Sequence, residues 1–368
     1  MKSNQKKKNY FIPISTDWFD KQVDKYFDRN DFKYFQDLLN INLRNLISKD
    51  SEVLKSTQQN LTQQSVILNE VQKEHYGFGL PFLVYTHCFD LFEKPQKHNH
   101  KFDHDFIATD MCDSLRRRHI ALSKGIIPKV IKDLYKKLNR PIIINNMGSG
   151  TGLDILNVLC NIDNKYIQNV YNYDINYNAI ELGLNITSLL ENKKLIKPGI
   201  VKYVTQSYTK SSEKVDLIIK IGIICGLTNE FAIKSLTIDN SYLNSEGMII
   251  VSSSNTNMEC FDPFPSFLIQ HIGTKDDPFQ GWGLNFRTDV KMKEILTKSG
   301  YSEISLYSDT NFPGLSNLSE DLLLGIDDLP AKLFGYKNRS PINLPSKEIL
   351  NQKNSFHWLA VASKAKSL

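Results

Sequence analysis

Cysteine is scarce in this chain, and what there is follows no ligand or bridge pattern. The five cysteines among 368 residues, Cys88, Cys112, Cys160, Cys225 and Cys260, are scattered, odd in number and without C-x-x-C spacing. That argues against a disulfide framework or a zinc site and for a reduced, cytoplasmic protein with no metal centre. Long apolar runs are missing too: no uninterrupted stretch approaches the roughly 20 residues that span a bilayer. The lysine-bearing N-terminus lacks the apolar core of a secretory signal. Strong charge of one sign is also absent. Lys and Arg number 45 against 40 Asp and Glu, a net +5 that does not call for a nucleic-acid partner. A 41% hydrophobic and 23% charged composition leaves an ordinary globular chain, long enough for two domains.

What stands out is Ile142 to Gly152, IIINNMGSGTG, an apolar run ending in glycines at every second position. Such a run reads as a buried strand turning into a helix. Gly148, Gly150 and Gly152 remove Cβ atoms where backbone must turn tightly and approach a ligand. About 20 residues further on, a second strand-like run, Val170 to Tyr173, ends in Asp174, where an acid in a doubly wound fold faces ribose hydroxyls. The pair describes a nucleoside-binding half-sheet. The spacing is G-x-G-x-G, not the dinucleotide G-x-G-x-x-G, and no P-loop Gly-Lys-Ser/Thr is near.

This run resembles the first motif of the class I, Rossmann-like, S-adenosylmethionine (SAM) dependent methyltransferases. The others follow in order: Tyr171 to Asn185 for the second motif, Ile200–Val204 for a third strand, Lys214–Gly222 for the fourth, Tyr242–Ser252 for the fifth. Ile295–Tyr301 is similar to the helix and turn before the sixth, and Phe356–Lys364 to the last strand. The resemblance implies an α/β fold: a doubly wound, seven-stranded, mostly parallel sheet with helices on both faces. It implies SAM as cofactor, held by the loop Gly148, Ser149, Gly150, Thr151 and Gly152, with Asp174 on the ribose and Ile175 near the adenine. Gln206 and Ser207 would flank the adenine amine, and Gly222 would close the site after the fourth strand. The cofactor carboxylate would meet main-chain N–H groups at the helix start after Gly152. Two positions depart from the family pattern: Asn146 stands where an acid is usual, and Gln206-Ser207 where an Asp is usual. Both retain hydrogen-bonding capacity without the charge.

The resemblance runs from about Cys112 onward, which divides the chain into a helical N-terminal domain, 1–110, and a methyltransferase domain, 111–368. In the first, apolar spacing predicts helices around Val23 and Phe27, around Phe35 to Leu46, and one thin amphipathic helix over Ser51–Glu74. The His98–Asp105 segment, with His98, His100, Asp103, His104 and Asp105, fits no structural zinc spacing and reads as a solvated linker. Nine Lys or Arg lie between Arg116 and Arg140. A helix over Ile126–Leu138 turns Ile127, Val130, Ile131 and Leu134 to a core, which leaves its lysines to solvent, an anionic substrate or a membrane surface. Insertions at 255–287 and 311–354 exceed ordinary loops, and the first begins where open α/β sheets bind ligands.

Methyl transfer needs positioning more than acid–base machinery, because the cofactor carries the reactivity. The chain lacks the Asn/Asp-Pro-Pro-aromatic motif and the Pro-Cys nucleophile of nucleic-acid-modifying relatives, and has no RNA-recognition signature. A small-molecule, lipid or protein methyl acceptor remains. In the first insertion His271 is the candidate base, Arg287 a candidate anion clamp and Trp282 a pocket wall, and Tyr76 is a candidate lid residue. Two alternatives stay open: a catalytically degenerate binding or scaffold protein on this fold, and a transferase of another group of SAM, aminopropyl or aminobutyrate.

Overall fold

A computed structural model of the chain describes residues 50–73, 81–82, 84, 103, 106, 109–206, 214–261, 284–318 and 355–365. Seven strands form one sheet: β1 (Ile142–Met147), β2 (Ile167–Asp174), β3 (Val201–Thr205), β4 (Val215–Lys220), β5 (Leu243–Ser254), β6 (Tyr301–Ser308) and β7 (His357–Lys364). Their order is β3-β2-β1-β4-β5-β7-β6. Strands β1 to β5 pair in parallel, whereas β7 runs antiparallel between β5 and β6. The fold is the Rossmann-like, mostly parallel doubly wound sheet that the motifs imply, with order reversing between β1 and β4.

Both faces are covered, so the central strands read as apolar runs and do not alternate. On one face, α3 (Asp110–Ile120), a π-helical turn (Ala121–Ile126), α4 (Ile127–Leu138), α5 (Leu153–Leu159) and α6 (Tyr177–Asn192) set Leu122, Ile131, Leu156 and Ile186 against Ile144, Val170 and Leu217. On the other, α7 (Asn229–Tyr242) and α9 (Asp289–Lys298) set Leu236, Met292 and Leu296 against Ile218 and Ile249. A short α8 (Thr256–Phe261) follows β5.

β4 carries two ionic exceptions, and each is neutralised in place. Lys220 Nζ, fully buried, donates to Asp239 at 2.5 Å and Ser235 at 2.7 Å on α7. Asp216, at the strand's start, accepts a bidentate pair from Arg140 (2.7 and 2.8 Å), the Ile143 N–H (3.0 Å) and the Asn244 amide (2.7 Å).

Helix α4 matches expectation, burying Ile127, Val130, Ile131 and Leu134 and turning Lys129, Lys132, Lys136 and Lys137 outward. Arg116, Arg117 and Arg118 do not share that exposure: all three are buried in α3. The expected single helix over Ser51–Glu74 is two, α1 (Ser51–Gln64) and α2 (Val66–Lys73), because Ser65 takes an extended conformation. Asp103 explains the break. Its carboxylate accepts from Ser65 Oγ (2.5 Å), Val66 N (3.0 Å) and Ile67 N (3.1 Å), so this acid of the expected solvated linker is a buried cap. Val66, Ile67, Leu68 and Phe106 join the same hydrophobic cluster as α3 and α4. The expectations for residues 1–49, for the linker histidines and for most of both insertions fall outside the described residues.

Candidate functional site

The C-terminal ends of β1, β2, β3, β4 and β5 share one edge, and the glycine loop sits there at the point where strand order reverses. Leaving β1, the chain adopts φ of 63° at Gly148, 54° at Gly150 and 74° at Gly152, the left-handed region that side chains avoid. Gly152 also has no room: a Cβ there would lie 2.6 Å from the Asn172 amide nitrogen. Helix α5 then starts with Asp154 in its first turn, tied to the buried His119 of α3. His119 Nε2 faces the Asn157 amide at 3.2 Å.

Asp174 ends β2, 8% exposed, and turns back onto the loop. Its Oδ2 accepts the Gly150 N–H at 2.7 Å and its Oδ1 the Asn176 N–H at 2.9 Å. Burial raises its pKa, opposed by the hydrogen bonds from Asn176, Gly150 and Ile175. Each carboxylate oxygen can accept a second bond, so the acid both fixes the glycine loop and keeps acceptor capacity. Next to it Ile175 is 43% exposed, an apolar side chain presented at the strand end.

Asn146, where the resemblance leads one to look for an acid, lies buried under the loop. Its amide donates to Asn172 Oδ1 at 2.9 Å across the β1–β2 pair. Asn172 is the group that excludes a side chain at Gly152, so the two amides form the floor of the loop. Thr151 is buried as well, and its carbonyl accepts the Tyr203 hydroxyl at 2.9 Å. Ser149 N–H reaches Tyr173 O at 2.9 Å. Gln206 follows β3, half-buried on the same edge.

After β4, Gly222 turns with φ 74° and donates its N–H to Ser252 Oγ at 2.9 Å. Cys225, three residues on, is half-buried, its thiol donating to Gly222 O at 3.1 Å, and burial raises its pKa. Arg287 closes this loop from below. Its guanidinium donates to Ile224 O (2.8 Å), Ser253 Oγ (3.0 Å), Asn229 Oδ1 (3.1 Å) and Leu227 O (2.5 Å). A fully buried guanidinium so engaged fixes the β4 loop to β5; it does not extend toward a ligand. Asn285 strengthens the clamp with its N–H on Cys225 O.

The structure therefore brings together Asn146, the Gly148–Gly152 loop, Asp174, Ile175, Gln206 and Gly222 along one edge, with Arg287 behind the β4 loop. His271, Trp282, Tyr76 and Ser207 lie outside the described residues. Sequence reading missed α3, which lies across the same edge with three consecutive buried side chains. Arg117 reaches Asp309 after β6 (2.9 and 3.0 Å), Arg118 lies beside Gly222, and His119 meets Asp154. An arginine run looks solvated in sequence. The acids that neutralise it here, Asp113 one helical turn away and the remote Asp309, give no joint signal. Among the described residues no group of His, Cys, Asp and Glu could hold a metal ion, and no helix is long and apolar enough to cross a membrane.

No family model and no curated protein matches the sequence. Solved structures do match in outline. A protein of Bordetella parapertussis described as a possible exported protein aligns with TM-score 0.44 at 13% identity, over 86% of this chain and 100% of its own. Magnesium protoporphyrin IX methyltransferase of Synechocystis PCC 6803, with bound S-adenosylhomocysteine (SAH), aligns with TM-score 0.41 at 11% identity, over 78% and 100%. Plantazolicin methyltransferase in complex with SAH aligns with TM-score 0.40 at 16% identity, over 85% and 99%. At such identities the likeness concerns the outline of the fold, and the site stands on its own residues.

Proposed function

We propose that this chain is a SAM-dependent methyltransferase acting on a small-molecule, lipid or protein acceptor. The observation that carries this reading is the 2.7 Å bond from Gly150 N–H to Asp174 Oδ2, which joins a ligand-approach loop to a nucleoside acid at the reversal of strand order. The donor set fits the cofactor. Two carboxylate oxygens with remaining lone pairs match the two hydroxyls of a ribose, and Ile175 offers an apolar surface beside them for a purine. Bound there, SAM would supply an electrophilic methyl to an acceptor atom held in line with its sulfonium sulfur.

The residues of the chain bind and orient. Asp174 holds the ribose, the loop from Gly148 to Gly152 brings main chain against the ligand, and Asn146 with Asn172 holds that loop from beneath. Gln206 and Ser207 take the adenine amine by the resemblance. Arg287 keeps the β4 loop, and with it Gly222, at a fixed height on the acceptor side. A base is needed only for an acceptor that must lose a proton, and His271 holds that place in the proposal.

Calorimetric titration with SAM and SAH tests the reading. Micromolar binding of both to wild type, abolished in Asp174→Ala, is expected, followed by transfer of labelled methyl to a component of cell extract. Unchanged affinity in Asp174→Ala would remove the placement; binding without any labelled product would favour the scaffold alternative.

A further inference from the structure

We propose that the sheet edge opposite the glycine loop docks the protein on an anionic lipid bilayer, an inference independent of the methyltransferase reading. Strands β1 to β5 all begin at that edge and the antiparallel β7 ends there, so the segments that enter them form one row. Lys136 arrives in the last turn of α4. Lys193, Lys194 and Lys197 lie between α6 and β3, Lys214 precedes β4, and Lys364 closes β7. At about 4.8 Å between neighbouring strands, the row from β3 to β7 spans roughly 25 Å.

The acids of this edge are already engaged. Asp163 is bound by Lys165, Asp216 by Arg140 and Glu246 by Lys137, while Glu191 Oε1 accepts the Gly199 N–H at 2.8 Å. Among the described residues, Lys136, Lys193, Lys194 and Lys197 are exposed and meet no acid. Lys214 and Lys364 are held in place by main chain. Their ammonium groups donate to Ser241 O at 2.5 Å and Leu243 O at 2.8 Å, carbonyls that neighbour each other where α7 turns into β5. A lysine has three donors, so each keeps N–H groups to give. Both line a recess of about 330 Å³ with Asn244, Ser245 and the Lys137-bound Glu246, which leaves room for a lipid phosphate.

Apolar surface set among the cations favours a bilayer. Leu189, in the last turn of α6, is 37% exposed and Leu195 is 42% exposed, on either side of Lys193 and Lys194. The turn between them is fixed, with Lys193 N–H on Leu189 O at 3.0 Å and Leu195 N–H on Leu190 O at 2.9 Å. Lys194 holds φ 56°, a left-handed position that glycine usually fills, so the chain keeps a cation there at some backbone cost. On a bilayer the leucines enter the boundary between headgroups and acyl chains while the lysines meet lipid phosphates. A nucleic acid would leave those leucines in water. It would also find no open stacking platform in Tyr135 and Tyr166, which pack edge-on at 4.9 Å with Lys165 over the Tyr166 ring. Docked this way, the glycine loop faces away from the bilayer.

Co-sedimentation of the full-length protein with vesicles tests the proposal, using phosphatidylcholine alone or phosphatidylcholine and phosphatidylserine in equal parts. Binding to the anionic vesicles only, weakening as salt rises, is expected. Joint replacement Lys193→Gln, Lys194→Gln and Lys197→Gln should weaken it on the order of a hundredfold, about fivefold for each lysine at the surface. Leu195→Ser and Lys364→Gln should each weaken it by a smaller factor. The same charge removed from α1, α7 and α9, by Lys55→Gln, Lys234→Gln and Lys293→Gln together, should leave binding unchanged, since these exposed lysines lie off the edge.

No binding to anionic vesicles, or equal losses in the two triple variants, would overturn the proposal. Displacement by inorganic phosphate at matched ionic strength would overturn it in favour of free phosphate in the recess. Tighter binding to duplex DNA or poly(U) RNA, untouched by Leu195→Ser, would overturn it in favour of a nucleic acid. Sedimentation needs no cofactor, so its outcome is read whether or not SAH binds.

Discussion

The Ser114 hydroxyl lies 2.7 Å from His357 Nδ1 and 2.9 Å from Asp309 Oδ2, with all three residues buried where α3 crosses β6 and β7. Serine has one proton to give, so it donates to the carboxylate and His357 must donate from Nδ1. The members are those of a hydrolytic triad, but the order is wrong: the acid contacts serine, and its other oxygen holds the Ser355 hydroxyl and the Phe356 and His357 N–H groups. The cluster ties a helix to a sheet edge.

Burial, with Arg118 and Arg117 nearby, holds His357 well below the ordinary imidazole value of 6.5. The unfolded chain takes up that proton as pH falls through 6.5 and the folded chain refuses it. The stability this site contributes is therefore complete above that pH and is lost below it, down to the folded value. Urea midpoints measured from pH 8 to about pH 5 should fall on the acid side for wild type and fall less for His357→Gln. Ser114→Ala should cost about 1–3 kcal/mol at pH 8, since it strands a buried donor.

Lys220 and Asp239 give a prediction about asymmetry. Lys220→Met should destabilise by about 3–5 kcal/mol, because Asp239 is left buried without its cation. Adding Asp239→Leu should recover most of the loss. Chemical denaturation of the two variants checks it; an additive double mutant would show the pair to be energetically independent.

Gly152→Ala and Gly199→Ala share a backbone penalty and differ in surroundings. Their φ angles are 74° and 73°, but a Cβ at Gly199 meets nothing within 4 Å, whereas at Gly152 it strikes Asn172. Both should lose about 1–2 kcal/mol for a left-handed alanine. Only Gly152→Ala should also lose SAH affinity, as displacing Asn172 frees Asn146 and the loop above them.

Asp216 sets part of the acid limb. Burial raises its pKa, but Arg140, the Ile143 N–H and Asn244 outweigh it and leave the pKa lowered. Its contribution is present above the ordinary carboxylate range and is lost as pH falls through the depressed folded value. Asp216→Asn should be less stable than wild type at pH 7 and approach it in strong acid, as thermal melts across that range would show.

The sheet was legible because strand and turn signals are local. Ile142–Met147, Val215–Lys220 and His357–Lys364 fall within a residue or two of the runs that announced them, and Gly148 to Gly152 with Asp174 form the expected loop-and-acid pair. What sequence concealed was long-range. Ser65 looks like any polar residue inside a helix until Asp103, 38 positions away, binds it. Arg116 to Arg118 read as surface charge because their burial depends on acids brought together by folding, Asp309 foremost. Arg287 showed its charge but not its use, since backbone carbonyls leave no trace in a sequence.

The place of β7 has a consequence for the order in which the molecule can be completed. β6 meets the sheet through β7, yet residues 301–308 leave the ribosome well before 357–364 do. In the interval β5 presents an unpaired edge, and β6, which runs in the same direction as β5, is the nearest strand able to occupy it. β7 completes the sheet by pairing antiparallel with both β5 and β6. A nascent chain stalled in that interval would hold a five-stranded core with one strand waiting, a species whose open edge invites a second copy and gives chaperones something to shield.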